Sequence, residues 1–229
     1  MSSTYPNPTA PVTRAVSTIY RRNQPPLNVY RESVTLLVGA NKELYTCHKD
    51  LLCFYSDFFR AAFDGSSKEA VERKIELPDV DTDVFEAFQY WLYTQSWPEN
   101  KVEPNDFPEW SLLVKLWIFG DQHQIPLLQN RVMALVIYKI EDDQSNPLFL
   151  IQEVYENTTS SSQLREAVVD MVTHKASSLK ETDGETRLAD QALLDITNAM
   201  NRISPNGRHY PRALCRGCHY HVHAKGEHC

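Results

Sequence analysis

Hydrophobic and polar positions alternate, then switch period, along the first half of the chain. From Ser33 to Val38 the pattern suits a strand, Gly39 to Lys42 reads as a turn, and Leu44, Tyr45 and Thr46 continue as a second strand, giving a hairpin. Immediately after it, Leu51, Leu52, Tyr55, Phe58, Phe59 and Ala62 recur at helical spacing. Ser56 and Asp57 sit where one short helix ends and a second is capped. The charged run Lys68 to Lys74 is expected to be a solvated loop. Ile75 and Leu77 then alternate with Lys74 and Glu76 as a third strand, stopped by Pro78.

The second half keeps the helical period. Asp81, Thr82 and Asp83 cap a helix whose stripe is Val84, Phe85, Phe88, Trp91 and Leu92. A polar segment from Thr94 to Trp110 holds Pro98, Pro104 and Pro108. A helix carrying Leu112, Leu113, Leu116 and Trp117 follows, predicted to close at Gly120. Pro126 opens the next helix, where its missing N–H costs nothing, and Leu128, Val132, Leu135 and Val136 line it. Three more helices are predicted: one from Asn146 and Pro147 with Leu148, Ile151 and Tyr155; one with Leu164, Val168, Met171 and Val172; one with Ala189, Leu193, Ile196 and Met200. The first 28 residues, with five prolines and no period, read as a flexible arm.

Three stretches together carry a family resemblance: His48-Lys49-x-x-Leu52-x-x-x-Ser56-x-x-Phe59, then Lys74-Ile75-Glu76-Leu77-Pro78-Asp79-Val80, then Phe85-x-x-Phe88-x-x-Trp91-Leu92-Tyr93-Thr94. In this order and at these distances they resemble the BTB/POZ domain, and Val34 to Gly39 fits its opening strand. The resemblance covers about Tyr30 to Lys139, and the helices beyond it make the chain similar to fungal-type BTB proteins with a helical C-terminal extension. It implies an α+β fold: a small, mainly three-stranded sheet flanked by a cluster of α-helices. The expected organisation is an arm (1–28), a BTB/POZ domain (29–140), a helical extension (141–203) and a Cys/His-rich tail (204–229).

The resemblance also implies work by protein recognition, through self-association or through docking a cullin scaffold as the substrate adaptor of a ubiquitin ligase. The family's cullin contact involves the helix Phe85 to Thr94, the loop after it and the following helix. This points to Gln95, Trp97, Glu99 and Asn100 as partner-binding residues, with Trp97 the anchor. Two departures stand out. The dimerising helix that many metazoan members carry ahead of the first strand is not evident. Where the family places an Asp opposite the basic residue beside His48, this chain has Ser33, so His48 is expected to be a structural histidine bonded to backbone and Lys49 a surface cation.

Composition narrows the function classes. The net charge of −7 gives no general attraction to nucleic acid or anionic membrane. No run approaches the eighteen or so apolar residues of a membrane span, and the N-terminus lacks a secretory apolar block, so an intracellular protein, nuclear or cytoplasmic, is expected. The seven glycines are too dispersed for a phosphate-cradling loop, and neither G-x-S-x-G nor H-E-x-x-H occurs. Cys47 and Cys53 read as small buried hydrophobes, and no catalytic constellation is apparent. An enzyme is therefore not expected.

The tail concentrates what chemistry there is. Cys215-x-x-Cys218-His219-x-His221-x-His223-x-x-x-x-His228-Cys229 offers more than the four N and S donors that one zinc ion needs. The candidate ligands are Cys215, Cys218, His223, His228 and Cys229, in a spacing similar to a zinc knuckle. The alternative is reduced thiols and imidazoles with transient metal affinity. Nearby Arg202, Arg208, Arg212, Arg216 and Lys225 make the tail locally basic. A second functional class follows, a nucleic-acid-linked regulator with Tyr210 or Tyr220 stacking on bases, although a solvated basic tail accounts for the same residues.

Overall fold

The computed structural model describes residues 24–97, 109–142, 147–175, 190–202 and 219–223. Three strands, β1 (Ser33–Val38), β2 (Glu43–His48) and β3 (Lys74–Leu77), form a sheet in the order β2-β1-β3. β1 pairs antiparallel with β2, Val34 opposite Cys47, and parallel with β3, Leu36 opposite Ile75. Central position explains its composition: Val34, Leu36 and Val38 are all buried. The hairpin turn uses positive φ at Gly39 and Lys42, with the Lys42 N–H donating to the Gly39 carbonyl.

Between β2 and β3 run α1 (Lys49–Tyr55), α2 (Asp57–Phe63) and α3 (Lys68–Glu72). The break between α1 and α2 is made by Ser56, whose Oγ accepts from the Phe59 N–H (3.0 Å) and donates to the His123 carbonyl (2.6 Å). Arg60 turns back to donate twice to the Cys53 carbonyl, satisfying an acceptor at the end of α1. Helix α3 overturns the expectation of a loop at Lys68 to Lys74. Ser67 caps it through the Ala70 N–H, and Arg73 closes it at φ 52°. None of its residues is buried, so no apolar period announced it.

The remaining elements are α4 (Thr82–Thr94), α5 (Trp110–Gln122), α6 (Pro126–Asp142), a 3-10 turn (Pro147–Leu150), α7 (Ile151–Asn157), α8 (Gln163–Lys175) and α9 (Asp190–Arg202). Two predictions are corrected here. Gly120 does not close α5, which runs on to Gln122; a Cβ at Gly120 would stand 2.9 Å from Gln129 Cγ, so glycine serves the close approach of α5 and α6. On α9 the inward stripe is Ala192, Ile196 and Ala199, while Leu193 and Met200 are 49% and 45% exposed. Small residues let α9 lie close against α8, an interface that a search for large apolar side chains overlooks.

One aromatic cluster holds these layers together. Phe59 of α2, Phe85, Phe88 and Trp91 of α4, and Phe119 of α5 are all buried, with Phe88 at its middle. His123 completes the cluster, its ring stacked 4.1 Å from Phe119 and its Nδ1 2.9 Å from the Phe119 carbonyl. Desolvation by burial is the main influence on this imidazole and holds its pKa below the ordinary value, against the opposing backbone hydrogen bond. The unfolded chain then binds a proton that the folded chain refuses. Stability from this group is complete above about pH 6.5 and is lost as pH falls from there toward the lower folded pKa. Urea midpoints measured between about pH 7.5 and 5 should fall with acid, and His123→Gln should flatten that slope.

Candidate interaction surface and the docked tail segment

β2 and α4 meet along a face built from polar aromatic residues. Gln89 donates to the Thr46 carbonyl (3.2 Å), and the Tyr45 hydroxyl donates to Glu86 (3.1 Å), so α4 is fixed against the edge strand. His48 donates its backbone N–H to the Tyr93 hydroxyl oxygen (3.1 Å), and its Nδ1 lies 2.9 Å from the same oxygen. The expected backbone partner of the His48 ring is thus replaced by a tyrosine hydroxyl. Tyr30 meets the imidazole edge-on at 5.3 Å. Lys49 is held rather than free: its ammonium reaches Asp64 at 3.2 Å, which raises its pKa chiefly through that hydrogen bond.

The outward side of α4 carries Glu86, Tyr90, Tyr93 and Thr94, with the two tyrosines 42% and 39% exposed. Large aromatic side chains on a wet helix face supply contact area at low entropic cost, which suits docking. Beyond the helix, Gln95 adopts φ 53° and its amide donates to the Trp91 carbonyl (3.2 Å), so part of this candidate contact residue is committed to closing α4. Trp97 is half-buried and packed against the core. Glu99 and Asn100 lie outside the described residues.

Cys47 and Cys53 are buried, and burial pushes both thiols up to about 11, so neither is a thiolate at neutral pH. A shallow hollow lined in part by Asp81, Val84, Lys115, Phe119 and Glu153 is the place where α4, α5 and α7 bring charges together. There Lys115 pairs with Asp81 at 2.6 Å, an arrangement of structural ion pairing.

A segment of the tail returns to the helices. Tyr220 is 1% exposed and its hydroxyl donates to Asp170 Oδ2 of α8 (2.8 Å). Val222 exchanges two hydrogen bonds with the Asn130 side chain of α6, at 2.7 and 2.9 Å, in the manner of a strand pair. His219 Nε2 lies 3.1 Å from Glu166 Oε1. His221 and His223 sit half-buried with ring centroids 6.0 Å apart; burial first, then the neighbouring His223 and Arg131, hold His221 below its ordinary pKa. Tyr220 is therefore a core anchor, which removes it from the base-stacking role considered for it. Of the candidate zinc ligands only His223 falls among the described residues; Cys215, Cys218, His228 and Cys229 lie outside them, as does Tyr210. Asn130, Glu166 and Asp170 were not apparent as functional positions, because only the return of the tail gives them a partner; the i,i+4 spacing of Glu166 and Asp170 was the one available signal.

A small three-stranded sheet is thus wrapped by helices around a shared aromatic core, with tyrosines exposed on the outward face of α4. The BTB/POZ domain family model matches residues 27–108, and the chain carries a BTB/POZ domain. BTB domains are protein-interaction modules. Among curated proteins, the chain is 36% identical over 63 residues to TD and POZ domain-containing protein 3 of Mus musculus, covering 28% of this chain and 17% of that one. It is 27% identical over 178 residues to Armadillo BTB Arabidopsis protein 1 of Arabidopsis thaliana, covering 77% and 22%. The chain spans between 11% and 25% of the length of the curated relatives it matches. Among solved structures, the BTB domain of human gigaxonin aligns at 15% identity and a TM-score of 0.35, over 58% of this chain and 96% of that one. Among the described residues no helix is long and apolar enough to cross a membrane.

Proposed function

We propose that this chain is a non-enzymatic recognition module that docks a cullin-type scaffold and so presents a client protein to a ubiquitin ligase. The observation that carries the reading is the outward face of α4, where Tyr90 and Tyr93 stand exposed, with half-buried Trp97 following the helix, all within the matched domain. Interface energy concentrates in such aromatic anchors, each worth roughly 1 to 4 kcal/mol when truncated. The test is capture of a cullin N-terminal domain by the full chain and by Tyr90→Ala and Trp97→Ala variants. Each substitution is expected to weaken capture by about tenfold or more, since every 1.4 kcal/mol or so is a factor of ten. Equal capture by all three proteins would place the contact elsewhere. Failure of the unaltered chain to bind would sink scaffold docking, and sedimentation would then show whether the face serves self-association.

The Cys/His-rich tail belongs to the same proposal as a closing element: Cys215 and Cys218, with two donors from His223, His228 and Cys229, would hold one zinc ion. The donor chemistry supports this. A metal-to-protein ratio near zero after purification without chelator would remove it. The nucleic-acid reading loses ground, because Tyr220 is buried and the chain is acidic overall.

A further inference from the structure

The docked segment brings His219 to two carboxylates on α8. The available ligand atoms of Glu166, Asp170 and His219 all lie within 4.8 Å of one another, and none of these residues belongs to the Cys/His set above. We propose that they form a binding site for one divalent transition-metal ion of the zinc class, which fastens the 219–223 segment to α8.

Both sides of the site are held by contacts outside it. Glu166 and Asp170 are one helical turn apart and share a face of α8. Asp170 Oδ2 accepts from the buried Tyr220 hydroxyl, which leaves Oδ1 for an ion and orients the carboxylate, as outer contacts do in metal sites. His219 precedes that same anchored tyrosine, and Val222 is pinned to Asn130 three residues on. The imidazole is therefore delivered to α8 by a segment fixed at two points.

The distances suit one ion. Bonds of about 2.0–2.1 Å in a tetrahedron place ligand atoms roughly 3.4 Å apart. His219 and Glu166 already stand at 3.1 Å, and a rotamer adjustment of Asp170 or Glu166 within the 4.8 Å spread closes the third edge. Side-chain exposures of 38% and 51% for His219 and Glu166 leave the fourth position open to water. An imidazole with two carboxylates favours zinc, cobalt or nickel over magnesium and calcium, which prefer oxygen throughout. The cation also relieves repulsion between carboxylates spaced i,i+4.

The experiment uses the full chain with Cys215, Cys218 and Cys229 changed to serine, so that thiolates take no part. Cobalt(II) is titrated by calorimetry and visible absorption, with zinc(II) and excess magnesium(II) as competitors. One equivalent is expected to bind, displaced by zinc and not by magnesium. His219→Ala and Glu166→Gln, both at exposed positions whose change leaves the core intact, should each weaken binding by at least about tenfold. Absence of a one-equivalent site, parental affinity in either variant, or equal displacement by magnesium overturns the proposal. The cullin capture above uses different residues, so either idea fails without the other.

Discussion

Phe88→Ala is expected to lower the unfolding free energy by about 3–5 kcal/mol. Phe88 is fully buried and touches rings from three helices: Phe59 of α2 at 6.4 Å, Phe85 and Trp91 of α4, and Phe119 of α5 at 4.8 Å. The space it leaves cannot be filled by one neighbour's adjustment, because those rings are anchored on separate elements, so both the transfer loss and the cavity cost persist. A urea titration should show a lower midpoint with an unchanged slope. Phe88→Leu, which keeps more of the volume, should cost clearly less. A drop below about 1 kcal/mol for the alanine variant would mean that the sheet and helices do not depend on this cluster.

Tyr220→Ala should also have a large effect, with a different signature. The substitution removes a fully buried ring, roughly 2–3 kcal/mol of apolar burial, together with the hydrogen bond to Asp170, about 1 kcal/mol. The global loss is capped, since the 219–223 segment is able to detach while the helices beneath stay folded. Hydrogen exchange at the Val222 amide, now bonded to Asn130, reads the local event directly. Its protection should fall by about a hundredfold, the equivalent of roughly 3 kcal/mol, while the urea midpoint moves less than for Phe88→Ala. Tyr220→Phe should keep most of the protection, because Asp170 is only half-buried and water replaces the lost donor. Unchanged exchange in Tyr220→Ala would show that Tyr220 is not what holds the segment.

The aromatic stripe, the hairpin and the two-helix break at Ser56 were legible because each obeys a local rule. Apolar side chains at period two or near 3.6 must face a core, and a serine between two such runs is a cap before it is anything else. Helix α3 was not legible, since a short helix capped by Ser67 with no fully buried residue leaves no periodic trace. The inner face of α9 was misread for the opposite reason. Ala192 and Ala199 are chosen for closeness rather than for area, so the eye falls on Leu193 and Met200, which the structure leaves exposed.

By itself the chain's sequence determined the strands, most of the helices and the composition of the core, because these follow from spacing along a few turns or pleats. Tertiary structure alone decided that His48 would lean on Tyr93, that glycine was required where α5 meets Gln129, and that Tyr220 would be an anchor. His48 and Tyr93 are 45 positions apart, Tyr220 and Asp170 are 50 apart, Asn130 meets Val222 across 92, and Gly120 meets Gln129 only because α5 and α6 fold back on each other. Contacts at such separations depend on how whole helices settle against one another, a collective outcome of packing that no local pattern encodes.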